Sequence, residues 1–222
     1  MAIYGGLHAL PAIIWSVLIP FQHVDSLRRK FPAMHRTSGY VILSFSLLLS
    51  MTGYWFFLSK NAYSHANWYH LHDLGGFAAP LAWPTFEATT FLLAPFYWAT
   101  MYKTAVTASA GDYAAHRKWA VLHTMTACFI SLERVAIIIM TGAGLVLTLF
   151  PEEEVHAFFG VPDTVDAIAA AELDLFAFGN IIALGLAAAW AAYELNRAGQ
   201  LDGWKRYLSS MVQEEPVAKK VD

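Results

Sequence analysis

Five long apolar segments, separated by short polar stretches, dominate this chain of 222 residues. They cover residues 3–21, 39–58, 77–102, 119–150 and 173–195. Each is close to or above the ~20 residues that an α-helix needs to cross ~30 Å of hydrocarbon. Charged residues make up only 14% of the chain, against roughly 25% in soluble domains. The pattern predicts an all-α integral membrane protein, a helical bundle of five transmembrane helices.

The distribution of basic residues predicts how these spans are oriented. All lysines and arginines except Lys60 and Arg134 fall on one side of a five-span arrangement, whereas the other side carries an acidic loop that includes Glu152 and Asp163. Basic loops remain on the cytoplasmic side of a membrane. We therefore expect the N-terminus outside, the C-terminus in the cytoplasm and a location in the bacterial inner (cell) membrane. The basic cytoplasmic loops include Arg28, Arg29, Arg36 and Arg117.

The domain organisation follows from the same pattern. Residues 1–200 are predicted to form the transmembrane bundle, and residues 201–222 a cytoplasmic tail that begins as an amphipathic helix and ends in disorder. Three prolines, Pro80, Pro84 and Pro95, predict a kinked third helix. The fourth segment is too long for one straight crossing, so we expect a bend, or emergence from the membrane, near residues 141–144. The first span begins so close to Met1 that a missing upstream segment is left open.

Histidines supply the main candidates for cofactor binding. Imidazole is the usual axial ligand of haem b and a common ligand of other metals. The candidate cofactor ligands are His8, His35, His116 and His123. His8 is expected toward the outer side and the other three toward the inner side, so an inner site is the simpler arrangement. The alternative for each is an interfacial or hydrogen-bonded core histidine.

Another histidine pair suggests a metal site on the outer side. In His70-x-His72 both rings would lie on one side of an extended segment. The same spacing on a helix would direct the two rings apart, so this metal signature depends on an extended backbone.

Three charged residues are predicted inside the membrane. Counted from the basic boundary of their helices, Glu87 and Arg134 should lie at similar depth, and we expect them to form an intramembrane ion pair, with Glu133 as the competing partner. Ionisable groups in a bilayer are costly unless they are paired. The pair could be static or part of a proton or quinone site, and Asp174 and Asn180 could join it.

Two sequence blocks resemble a known family. Residues 20–22 read PFQ, residues 27–40 read LRRKFPAMHRTSGY, and residues 111–119 read GDYAAHRKW, with Arg134 further along the same helix. With His8 in the first span, these blocks resemble the predicted membrane proteins of bacteria and fungi grouped as domain of unknown function 2306. The resemblance covers residues 8–137 and draws attention to His8, His35, His116 and Arg134. Ala120 and His123 depart from the family pattern, and the resemblance implies no activity.

The sequence supports two classes of function. The first is a redox protein that holds haem b between histidines and exchanges electrons with a quinone or a membrane redox partner. The alternative is a non-catalytic subunit that packs against a larger membrane complex, or a membrane enzyme with a histidine-bound metal. The basic residues are explained by topology, so no nucleic-acid role is expected; the lipid bilayer is the predicted partner.

Overall fold

The computed structural model describes residues 5–59, 68–72 and 81–213, and these residues form a helical protein with one small β-hairpin. A π-helical turn, Gly5–Ala9, leads into α1. The helices are α1 (Leu10–Gln22), α2 (Asp25–Lys30), α3 (Pro32–Leu58), α4 (Phe86–Ser109), α5 (Tyr113–Leu147), α6 (Glu152–Phe159), α7 (Val165–Arg197) and α8 (Asp202–Gln213). The strands are β1 (Tyr69–His72) and β2 (Leu81–Pro84), which pair antiparallel.

Four helical stretches among the described residues are long and apolar enough to cross a membrane. They are Gly5–Gln22, Pro32–Phe56, Tyr113–Leu147 and Val165–Arg197. Large apolar side chains, such as Ile138, Leu145 and Leu186, are exposed on the surfaces of these helices, as expected where lipid rather than water is the surrounding solvent. The architecture is therefore that of a membrane protein, as the composition predicts.

Of the five predicted spans, the third differs most between the sequence prediction and the structure. Instead of a helix from residue 77, residues 81–84 form a strand, and α4 begins only at Phe86. The hydroxyl of Thr85 caps the helix by accepting a hydrogen bond from the Ala88 amide at 3.1 Å. Proline disfavours a helical conformation in the residue before it and lacks an amide proton, so Pro84 ends the preceding structure. α4 has 24 residues but is not among the four candidate spans.

The fourth segment remains one continuous helix. No break occurs at residues 141–144, and α5 runs for 35 residues to Leu147. At 1.5 Å per residue this helix is about 52 Å long, which exceeds the hydrocarbon thickness.

The core of the bundle is a close contact between α5 and α7. Ala183, Ala187 and Ala191 recur every four residues along α7 and are at most 2% exposed. Small residues allow two helix backbones to approach closely. Ala187 and Ala191 therefore pack inside this chain.

Replacing Ala187 with leucine should test this contact. We expect a loss of about 1–3 kcal/mol in the free energy of unfolding, because a larger side chain has no space in a packed core. Ala188→Leu, on the exposed neighbouring face, should change stability by under about 0.5 kcal/mol. Unfolding in detergent, followed by circular dichroism, measures both; equal effects would contradict the packing described.

The tail begins with a helix, as predicted. α8 covers Asp202–Gln213, and its described side chains up to Arg206 are exposed. Residues 214–222, where we expect disorder, lie outside the described part of the chain.

Candidate functional site

A buried polar network joins four helices around Ser46. This side chain is fully buried on α3. The indole Nε1 of Trp15 on α1 donates to the Ser46 hydroxyl at 2.9 Å, and the Tyr97 hydroxyl on α4 donates to the Ser46 carbonyl oxygen at 2.8 Å. The Nε2 atom of His123 on α5 lies 2.9 Å from the same Ser46 hydroxyl. One serine therefore connects the first helix to the centre of the bundle.

The network fixes the role of His123. Since an indole can only donate, the Ser46 oxygen accepts from Trp15 and its own proton is available to His123 Nε2. The other ring nitrogen, Nδ1, then donates to the Thr100 hydroxyl at 3.4 Å, whose proton is directed to the Phe96 carbonyl at 2.7 Å. Both nitrogens are used and the residue is 2% exposed. His123 is a satisfied core histidine in this structure, without a free nitrogen for iron.

His8 occupies a separate position near the start of the chain. Its Nδ1 atom lies 2.7 Å from the Thr52 hydroxyl on α3, and its ring contacts Phe56 edge-on at 5.7 Å. Thr52 is six residues, about 1.7 turns, beyond Ser46 in the direction away from His35. The structure therefore keeps His8 apart from the inner histidines, as its predicted depth indicated.

An ionic cluster closes the basic end of the bundle. Asp25 at the start of α2 lies 2.9 Å from Arg28, 3.9 Å from Arg117 and 3.5 Å from Arg197. Glu194 on α7 lies 3.6 Å from Arg117 and 2.8 Å from Arg197. Two carboxylates thus bridge three arginines from α2, α5 and α7. We call these five residues the arginine cluster.

Three histidines gather beside the arginine cluster. The Nε2 atom of His23, which follows α1, lies 2.9 Å from the Thr124 hydroxyl, and its ring packs against Trp190 at 4.9 Å. Burial lowers the pKa of His23 to about 4, although the nearby Glu194 carboxylate opposes this shift. His35 is within electrostatic range of both His23 and His116. That His35 and His116 form one inner ligand group stays a prediction.

His116 and His35 each have a ring nitrogen that is not used in a hydrogen bond within the described residues. His116 Nδ1 donates to the Thr104 carbonyl oxygen at 3.0 Å, which leaves an unprotonated lone pair on Nε2. A histidine that binds a metal characteristically gives its other N–H to such a carbonyl. The Nδ1 atom of His35 is buried without a hydrogen-bond partner. Together the two side chains have the donor chemistry that an iron or another metal ion requires.

The predicted ion pair does not form. Among the described residues no contact within 4 Å joins Glu87 to Arg134, and the Arg134 guanidinium instead lies over the Phe176 ring at 5.6 Å. Glu87 lies in the first turn of α4. Glu133 is completely buried, and neither of its carboxylate oxygens has a hydrogen-bond partner. The cation–π contact between the Arg134 guanidinium and the Phe176 ring takes the place of an ion pair with a carboxylate.

The remaining predicted residues fall into two groups. His70 and His72 lie in β1, so the extended backbone that a metal pair requires is present; their side chains lie outside the described part of the structure. Of the basic-loop residues, Arg28 and Arg117 belong to the arginine cluster, whereas Arg29 and Arg36 are exposed. The metal role of the pair stays a prediction.

Sequence reasoning missed three features. It did not identify Ser46, Asp25 or Glu194, because a serine or a carboxylate at a helix end carries no periodic signal. It also missed a cluster on the opposite side, where ligand atoms of Glu152, His156 and Asp163 lie within 4.8 Å of one another. The spacing of Glu152 and His156, one helical turn apart, was the available signal for this cluster.

Comparisons with known proteins leave the family open. No protein-family profile matches the chain, and neither the curated proteins nor the solved structures gave a match. The resemblance to domain of unknown function 2306 thus stays a prediction.

Proposed function

We propose that the chain is a membrane redox protein that binds haem b through His35 and His116 at its basic, cytoplasmic end. The supporting observation is the hydrogen bond from His116 Nδ1 to the Thr104 carbonyl, which leaves Nε2 as a ligand, beside the unpartnered His35 Nδ1. Haem b bound there would supply one-electron transfer, and a quinone or another membrane redox protein would be the partner. This site replaces the broader set that included His8 and His123.

The surrounding charge suits an anionic cofactor. Haem carries two carboxylates, and arginine pairs well with carboxylates. Arg36 directly follows His35 in the sequence and, like Arg29, is exposed, so these two arginines could receive such groups. Arg28 and Arg117 instead hold the protein framework through the arginine cluster. The positive-inside rule places this end in the cytoplasm, with the protein in the bacterial inner membrane.

A histidine-bound metal ion without a porphyrin is the second candidate. It is favoured by the third imidazole, His23, which lies in the same group. Three imidazoles are a common ligand set for zinc and copper. Metal analysis of purified protein distinguishes this candidate from haem.

The first test is an absorption spectrum of detergent-purified protein, oxidised and then reduced with dithionite, together with a pyridine haemochrome assay. We expect a haem b spectrum that disappears in His35→Ala and in His116→Ala. His156→Ala, on the opposite side of the bundle, is the matched control and should retain the spectrum. Colourless protein from cells with ample haem would contradict the haem proposal, as would normal haem content in both variants. A stoichiometric metal that is lost in the same two variants would support the second candidate.

A further inference from the structure

Glu133 lies among other buried polar atoms that lack partners. Besides its two carboxylate oxygens, the buried atoms without a hydrogen bond include Asn180 Oδ1 on α7 and the hydroxyl oxygens of Thr89 and Thr90 on α4. Glu133 and Asn180 are 0% exposed. Buried polar groups are almost always hydrogen-bonded, and each exception requires an explanation. Here the exceptions come from three different helices.

The register of the helices brings these atoms to one level. Thr100 on α4 lies opposite His123 and Thr126 on α5. Because α4 and α5 are antiparallel, moving ten residues back from Thr100 and ten forward from His123 places Thr90 level with Glu133. Thr89 is its direct neighbour. The two threonines of α4 therefore lie at the same depth in the bundle as the Glu133 carboxylate.

The contacts of α7 place Asn180 at the same level. Phe176 contacts Phe86 on α4 at 5.3 Å and lies beneath the Arg134 guanidinium on α5. Asn180 follows Phe176 by one helical turn, as Thr90 follows Phe86. The Asn180 amide is also close enough to interact with Glu133, and its Nδ2 donates to the Phe176 carbonyl at 3.3 Å. Its Oδ1 remains free.

Thr89 and Thr90 lack a hydrogen bond that other threonines of the bundle make. Thr52, Thr100 and Thr104 each donate their hydroxyl proton to a carbonyl one turn earlier in the same helix. This is the usual way for a threonine to be satisfied inside a membrane helix. Thr89 and Thr90 make no such bond. Their oxygens are therefore available to another ligand.

The unpartnered atoms at this level are all oxygens. All of them can accept a hydrogen bond or bind a cation, whereas only the two threonine hydroxyls can donate a proton. Two carboxylate oxygens, one amide oxygen and two hydroxyl oxygens are hard ligands, and a negative charge here is costly unless a cation neutralises it. Arg134, the adjacent cation on α5, forms no ion pair with Glu133 within 4 Å among the described residues, and its guanidinium lies over the Phe176 ring. Asp174 on α7 and Glu87 on α4 carry the same charge as Glu133 and cannot neutralise it.

We propose that Glu133, Asn180, Thr89 and Thr90 form an intramembrane binding site for a small monovalent cation, Na⁺ or H⁺. The site is independent of the histidines at the basic end. It assigns the buried carboxylate to cation binding instead of pairing with Arg134.

The test combines two measurements on the full-length protein in detergent. Binding of radioactive Na⁺ is measured at alkaline and at mildly acidic pH. Infrared difference spectroscopy then detects the C=O stretch of a protonated carboxyl group. For a sodium site, Glu133→Gln should weaken Na⁺ binding by at least about tenfold, equivalent to about 1.4 kcal/mol. For a proton site, wild-type protein should show no Na⁺ binding but a carboxyl band that is absent in Glu133→Gln.

Two further variants keep the test informative. Asn180→Ala removes one oxygen but leaves the carboxylate, so it should weaken Na⁺ binding or shift the carboxyl band even if Glu133→Gln does not fold. Glu87→Gln is the matched control and should behave like wild type. If wild-type protein shows neither Na⁺ binding nor a protonated carboxyl band, the proposed site is refuted. The same holds if either signal survives unchanged in both Glu133→Gln and Asn180→Ala.

Discussion

Replacing Ser46 with alanine should lower the free energy of unfolding by about 2–4 kcal/mol, although the change removes a single oxygen atom. The variant leaves the Trp15 indole N–H and His123 Nε2 buried without partners, and each such group costs about 1–3 kcal/mol. Hydrogen bonds between membrane helices average only about 0.6 kcal/mol. We expect a larger effect here because two partners on two helices lose the same oxygen.

Ser50→Ala provides the control for this prediction. Ser50 lies one turn along the same helix, and its hydroxyl donates at 2.8 Å only to the Leu47 carbonyl of that helix. Its loss should cost under about 1 kcal/mol. Unfolding of both variants by SDS in mixed micelles, followed by tryptophan fluorescence, compares the two. A Ser46→Ala variant as stable as Ser50→Ala would show that the network does not stabilise the bundle.

Removing the Glu194 carboxylate should have an effect of similar size. In Glu194→Ala, Arg117 retains only Asp25 at 3.9 Å, so a guanidinium whose side chain is 25% exposed loses its main counter-charge. Breaking a fully buried pair costs about 3–5 kcal/mol. We expect about 2–3 kcal/mol for this partly buried one. The contact with Arg197 adds little because that side chain is 41% exposed.

The matched variant for Glu194 is Glu153→Ala on the opposite side of the molecule. Glu153 is exposed at the start of α6, so its removal should change the unfolding free energy by less than about 1 kcal/mol. Thermal unfolding at low and high salt also separates the two, since a screened surface charge responds to salt more than a buried one. Equal losses in the two variants would contradict a structural role for the arginine cluster.

Much of the architecture was predictable because bilayer thickness sets helix length. The apolar segments at residues 3–21, 39–58, 119–150 and 173–195 correspond to the four candidate spans. For the segment that begins at residue 77, only the predicted start of the helix was wrong, since average hydrophobicity does not distinguish a strand ending at Pro84 from the start of a helix at Phe86. Hydropathy reports burial in apolar surroundings and carries little information about where a backbone turns.

The candidate site was predictable only in part. Histidines and charges inside or just before apolar segments stand out in a sequence, so His35, His116 and Glu133 were among the candidates. Their partners were not, because the Thr104 carbonyl that orients His116 is a backbone atom and could belong to any residue. Depth along the membrane does not fix rotation about a helix axis, so it could not predict that Arg134 turns toward Phe176.

The unbroken length of α5 has a consequence for the membrane that can accommodate the protein. Its apolar part, residues 119–147, is about 43 Å long and still covers about 40 Å along the membrane normal at a typical tilt of about 20°. Apolar side chains near its end, such as Leu145 and Leu149, are 67% and 81% exposed. Hydrophobic mismatch of this kind favours a thicker bilayer or a cover for the projecting end. Reconstitution in lipids of increasing chain length should therefore stabilise the bundle progressively.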